Sequence, residues 1–170
     1  MICLAEKVGM YTTEGVILKR TDVGEHGSLF TIYTRDFGKI RALAQGVKKE
    51  GAKLKGHLEP LNLSSIGFVL GRNGERLTQA TVLNHWPGVR ENFEKLRIAY
   101  TIIEVIDKQC LLGAKDENLW GILTGSLSTL ENTQFLGNDL DEFLQGFRKG
   151  LISALGYTGV SEDVFLRYNS

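Results

Sequence analysis

The chain has 170 residues, of which 42% are apolar and 24% charged, with only two prolines; it can bury a real core, and this composition excludes a disordered chain. No run of 18 apolar residues occurs, so no membrane-spanning helix is expected. Formal charge is zero, and the two cysteines, Cys3 and Cys110, are too few for a disulfide framework or a zinc site, which points to a reducing, cytoplasmic setting.

The zero charge hides an asymmetry. Residues 1–86 carry 12 Lys/Arg against 8 Asp/Glu, whereas residues 87–170 carry 8 against 12. The window 35–57 is steeper: Arg35, Lys39, Arg41, Lys48, Lys49, Lys53 and Lys55 face only Asp36 and Glu50. A basic half joined to an acidic half predicts that one part meets a polyanion, with a solvated charged loop as the plain alternative. The opening MICLAEKVGM lacks a long apolar core and a small-residue cleavage site, so no secretory leader is expected.

The first half reads as strands. Residues 13–21 are rich in β-formers, and residues 28–35 alternate faces. Asp36-Phe37-Gly38 then turns into a third strand over 39–46, on which Lys39 and Arg41 share one face and Ile40 and Ala42 the other. A basic, strand-poor connection runs to Pro60. Strands at 61–70 and 76–86 follow, joined by Gly71-Arg72-Asn73-Gly74, in which Asn-Gly is a strong hairpin dipeptide. Five short strands with a longer insertion after the third match an OB barrel, with an SH3-like barrel as the structural competitor.

After Trp86-Pro87-Gly88 the period changes. Residues 90–112 predict a helix with Phe93, Leu96, Ala99, Tyr100, Ile103, Ile106 and Cys110 on one stripe. A second helix is expected over 116–130, turning Leu119, Trp120, Leu123, Leu127 and Leu130 inward. A third starts at Asn138 as N-cap, buries Leu140, Phe143, Leu144, Phe147, Leu151 and Leu155, and ends at Gly156 in an αL cap. A short fourth helix is expected near 162–167. The expected class is therefore α+β: an N-terminal five-stranded OB-fold β-barrel over 1–86 that binds nucleic acid, then an α-helical domain over 87–170.

Catalytic patterns are missing. There is no P-loop, no Gly-x-Ser-x-Gly elbow and no His-Glu-x-x-His pair, and His26, His57 and His85 have no metal-ligand spacing. No active site, metal or cofactor is expected. The cations of 35–57 suit a groove that tracks a phosphate backbone. Phe37, at a turn tip, is the leading candidate to stack on a base; Tyr33 and Tyr11 are others, against a core reading for each. In the helical half Arg90, Arg97 and Arg148 could meet an acidic peptide, with Arg97 beside Phe93 and Tyr100, or Arg148 beside Phe147, as the anchor.

The string TEGVILKRTDVGEHGSLFTIYTRDFGKIRALAQGVKK, followed by KLKGHLEPLNL, resembles the N-terminal OB domain of the RecO family of recombination mediators. The match rests on Glu14, Gly15 and Leu18, on Gly24-Glu25, on Thr34, Gly38 and Lys39, on Ala44, Gly46 and Lys49, and on Lys53 to Pro60. LTQATVLNHWPGVREN and FRKGLISALGY extend it, so it covers about residues 11–157.

The resemblance implies a non-enzymatic DNA repair and recombination factor of the RecF pathway. Such a factor binds ssDNA and dsDNA, anneals strands, contacts the C-terminal tail of single-stranded-DNA-binding protein and works with RecR to load the recombinase, in the bacterial cytoplasm on the nucleoid. DNA contacts are then expected from Arg35, Lys39, Arg41, Lys48, Lys49, Lys53, Lys55 and Phe37, and partner contacts from Arg97 and Arg148. The sequence departs from the family after Tyr157, where many members carry a four-cysteine zinc motif and TGVSEDVFLRYNS stands instead, so a short form without zinc is expected. Met10 is an alternative start. The competing reading is a helical protein-interaction scaffold with a degenerate barrel.

Overall fold

The computed structural model describes residues 9–25, 27–45, 54, 56–71 and 74–157. Five strands, β1 (Met10–Val23), β2 (Gly27–Thr34), β3 (Gly38–Gln45), β4 (Leu63–Gly71) and β5 (Gly74–Asn84), precede α1 (Pro87–Arg90), α2 (Phe93–Gln109), α3 (Glu117–Asn132) and α4 (Asp139–Ala154). The strands close into a barrel in the order β1-β2-β3-β5-β4. Every pairing is antiparallel except β3 with β5, where Ala42 and Leu43 run parallel to Glu75 and Arg76. That closure settles the competition in favour of the OB barrel. The helix expected near 162–167 and the Arg72-Asn73 turn lie outside the described residues.

β1 begins three residues earlier than the sequence pattern suggests, because its two ends serve different partners. Met10 to Val16 pair with β4, while Gly15 to Val23 pair with β2. The register slips between Ile17 and Lys19, a bulge at Leu18. Ile17 keeps its place inside the barrel with Phe30, Ile32, Ile40, Ile66 and Phe68. Val16 and Leu18 leave on the outer side and join a second core with Tyr33, Leu61, Trp86 and the buried faces of α2 to α4. Barrel wall and helices thus share one apolar layer.

The stripe on α2 is rotated from the expected one. Ile98, Ala99, Ile102, Ile103 and Ile106 are buried, while Phe93 is 77% exposed and Tyr100 43%. The isoleucines recur at i, i+4 and i+8 and outrank the two aromatics, since Phe93 is the first helical residue and has no turn beneath it. Pro87 starts the separate single turn α1, and Asn92 caps α2 by accepting the Lys95 amide at 3.1 Å. α3 and α4 bury the expected faces, with Trp120, Leu140, Phe143 and Leu155 half-buried at their margins. After α4 the Gly156 amide reaches Ser153 O and the Tyr157 amide Ile152 O, both at 3.1 Å, which is a Schellman close.

Among the described residues two non-glycines hold positive φ, Leu61 at 75° and Trp86 at 55°. They stabilise one another: the indole N–H of Trp86 donates to Leu61 O at 3.0 Å, and both side chains are buried. Arg90 locks the same corner by donating to His85 O at 2.7 Å, Pro60 O at 2.8 Å and Asn62 Oδ1 at 3.0 Å. Glu131 of α3 accepts the Gly88 and Val89 amides at 3.0 Å each.

The α2–α3 loop approaches the barrel closely at the start of β3. Gly38 has φ 65°, and a Cβ there would lie 2.2 Å from Ala114 O, so only glycine fits. Lys39 O accepts the Gly113 amide at 2.8 Å. The Lys39 side chain is buried, and its ammonium meets Asp107 Oδ1 at 3.0 Å, Cys110 O at 2.9 Å and the Asp107 carbonyl. Three acceptors at the C-terminal end of α2 thus surround one cation, where the helix dipole also favours positive charge. Lys39→Met should cost roughly 3 kcal/mol in urea unfolding, because Asp107 stays behind without its counter-charge. The exposed neighbour Arg41→Met should change stability by less than about 0.5 kcal/mol.

The same junction sets a pH dependence. Burial pushes the Cys110 thiol from 9.0 to about 11, against the nearby Lys39 charge, and Asp116 and Asp107 raise it further. Burial likewise raises the Tyr33 hydroxyl, reinforced by Cys110 and Asp116. Both groups are held neutral in the fold, so this contribution is complete below pH 9.0 and is lost as pH rises towards about 11. Unfolding free energy should therefore decline across that window, and Cys110→Ala should flatten the decline.

Candidate nucleic-acid interface

Cross-strand partners share a face, so the pairing of β1, β2, β3 and β5 sorts the outer wall into rows. The first row is Val16, Tyr33 and Lys39; the second is Lys19, Thr31 and Arg41; the third is Thr21, Leu29, Leu43 and Arg76. Helices and the α2–α3 loop cover the first row: Val16 and Tyr33 are fully buried, and the Tyr33 hydroxyl donates to Asp116 O at 3.4 Å. In the other two rows Thr31 is buried at the centre of the second, while the charged side chains around it reach solvent. Lys19, Arg41 and Arg76 are exposed across them, with the apolar edges of Leu29 and Leu43 between. Arg76 donates to Gln45 Oε1 at 3.0 Å, and neither Lys19 nor Arg41 forms an ion pair with another described residue. Mixed cations and apolar surface on an open sheet can hold a phosphate backbone with bases laid against the wall.

Of the cations expected to carry this chemistry, the structure removes Lys39. Its alternation with Ile40 is as expected, but the outward face at that point lies under α2, and its ammonium is spent on α2 acceptors. Arg41 stands where expected. Arg35 is exposed at 61% and pairs loosely with Glu14 at 3.8 Å. It belongs to a polar cleft at the foot of α3 shared with Glu14, Asp36, Lys115 and Glu117, whose carboxylates outnumber its cations. Lys48, Lys49, Lys53 and Lys55 lie outside the described residues. Lys19 and Arg76 were not anticipated from sequence; only the register brings them beside Arg41.

Phe37 is not a free platform. Its ring meets Tyr11 edge-on at 5.5 Å and Phe68 at 5.2 Å, while Tyr11 stacks on Phe68 at 5.5 Å. The trio plugs one mouth of the barrel, and Thr34 Oγ1 fixes the turn by accepting the Phe37 amide at 3.1 Å and donating to Gly38 O at 2.7 Å. Beside the trio opens an apolar cleft of about 320 Å³, walled by Leu70 and by Leu112 of the α2–α3 loop, with Arg41 and Glu75 on its polar side. Of the other stacking candidates, Tyr33 is core and Tyr11 is a member of this trio.

In the helical half, Phe93, Arg97 and Tyr100 follow one another along the outer side of α2. Arg97 is bonded to Glu94 at 3.0 Å and lies 4.0 Å from Asp141. Arg148 is half-buried on α4 beside buried Phe147, and Arg90 is spent on the corner described above. His57 accepts the Val82 amide at 3.3 Å through Nδ1, a strand-end role. His26 lies outside the described residues. Among the described residues no three His, Cys, Asp or Glu side chains gather in a metal-binding group, and no helix is long and apolar enough to cross a membrane.

Residues 9–86, the whole barrel, match the family model described as Recombination protein O N terminal. Curated relatives extend the likeness into the helices. The chain is 32% identical to the DNA repair protein RecO of Roseiflexus sp. (strain RS-1), over 87% of this chain and 50% of the relative. Identity is 27% to the protein of that name from Pelotomaculum thermopropionicum, over 90% of this chain and 58% of the relative. It is 33% to that from Acaryochloris marina, over 72% and 42%. The chain thus spans about half the length of the curated relatives it matches. A barrel closed in the OB order, the family-model match over that barrel and this agreement across both parts together make the chain similar to the RecO proteins.

Proposed function

We propose that the protein is a DNA repair and recombination factor that holds DNA without chemically altering it. The observation that carries this reading is the open Lys19–Arg41–Arg76 face. It lies on the barrel wall where OB folds take single strands, and the relatives bear the name DNA repair protein. Three cations on three strands track a backbone without reading base edges, so binding is sequence-tolerant and suits strand annealing as well as duplex contact. In this reading the protein helps RecR load the recombinase on single strands, on the nucleoid. The acidic helical half brings none of these cations to the DNA. Its exposed Phe93, Arg97 and Tyr100 instead offer apolar surface around a cation to the acidic, aromatic-tipped tail of single-stranded-DNA-binding protein.

Fluorescence anisotropy with labelled single strands tests the DNA face. Each phosphate contact contributes about −0.7 to the slope of log affinity against log salt, so three contacts give a slope near −2. The triple change Lys19→Ala, Arg41→Ala and Arg76→Ala should weaken binding for all sequences alike and flatten the slope. Replacing Lys48, Lys49, Lys53 and Lys55 together should add to that loss if the connection joins the groove. Undiminished affinity in the triple variant would place the DNA elsewhere. For the tail, calorimetry with an acidic Phe-terminated peptide should show micromolar binding that Phe93→Ala and Arg97→Ala each abolish, with DNA affinity unaltered.

A further inference from the structure

We infer that the cleft beside the aromatic trio is a pocket for one nucleobase of a bound single strand, completed by the α2–α3 loop. The inference rests on the DNA reading of the neighbouring face and names what that face does with a base. The cleft holds about 320 Å³, at the lower end of the roughly 300–1,000 Å³ typical of small-ligand sites, which fits a planar ring and not a helix. Its floor is aromatic, with the stacked Tyr11 and Phe68 rings and the Phe37 edge. Its rim keeps two large apolar side chains in water, Leu70 at 54% and Leu112 at 55% exposure. Such exposure around a concave aromatic floor marks a surface that is covered in use.

Charge decides what covers it. Arg41 belongs both to the cleft lining and to the second row, so a backbone lying along Lys19 and Arg41 passes the cleft's mouth. A base turned inward from that backbone meets the floor, while Arg41 and Glu75 supply a donor and an acceptor for its edge. The far wall comes from the helical part. The Gly113 amide is bonded to Lys39 O, and Leu112 bridges to Lys39, so the interdomain junction positions the pocket. The acidic half thereby contributes to strand binding through one apolar side chain and no charge.

The test compares an oligothymidylate with an abasic oligomer of equal length and charge, against the whole chain at moderate salt. Stacking of one base predicts about tenfold tighter binding of the oligothymidylate by the unmodified protein. Tyr11→Ala and Leu112→Ala should each lose most of that preference and keep the salt slope. Leu112 is exposed, so its variant folds even where removal of Tyr11 loosens the barrel mouth. Equal affinity of the unmodified protein for both oligomers overturns the pocket and leaves the backbone reading standing. A preference that survives in both variants also overturns it. Binding of neither oligomer overturns both readings. Displacement of the oligothymidylate by an acidic Phe-terminated peptide whose own binding needs Leu112 gives the cleft to a peptide, against the inference.

Discussion

The α2 helix ends against the barrel with its last carbonyls pointing at one ammonium group, that of Lys39. A helix C-terminus inside a fold leaves acceptors that must be satisfied, and a cation satisfies several at once. Here Cys110 O, the Asp107 carbonyl and the Asp107 carboxylate converge on Lys39. The backbone of the same residue holds Gly113, and Gly38 before it lets Ala114 approach. With that loop fixed, Asp116 is in place to cap α3, accepting the Asn118 and Leu119 amides at 2.7 and 3.1 Å. Tyr33 finds its acceptor on the same residue.

Thr34, Gly38 and Lys39 form one of the steps by which the sequence resembles the RecO family. In the structure they are a single device. The threonine hydroxyl ties the turn, the glycine makes room, and the lysine neutralises the helix end. Their work is to seat the barrel on the helices. A motif by which the chain resembles that family thus serves the architecture, and one of its basic residues is withdrawn from the outer wall by burial.

The outer wall shows how a single sheet surface serves two purposes. The bulge at Leu18 sends Leu18 and Lys19 out on the same side, one into the helical core and the other to solvent. The boundary between covered and open wall therefore falls between the Tyr33–Lys39 and Thr31–Arg41 pairs. Apolar burial fixes the first row, and the charged side chains beyond stay in water.

Much of this was legible in the chain. Alternation in 28–35 and 39–46 and the Asn73-Gly74 dipeptide announce the strands, and the longer connection before Pro60 marks the OB order. Gly156 announces a helix end, because left-handed closure is local physics of a few residues, whereas Asn138 begins α4 as expected but makes no side-chain capping bond. The site was legible only in part. Charge counts identify a basic half, but nothing local distinguishes Lys39, buried under α2, from Arg41 two residues on, since both alternate correctly. The aromatic at the turn tip looked like a platform until Tyr11 and Phe68, far off in sequence, closed over it. Lys19 and Arg76 join Arg41 through cross-strand register, which depends on a bulge and on parallel closure of the barrel. The sequence determined which segments are strands and helices, because propensity, period and caps act over a few residues. Which charges meet water was decided only by the tertiary fold, because burial depends on what packs above a residue from elsewhere in the chain.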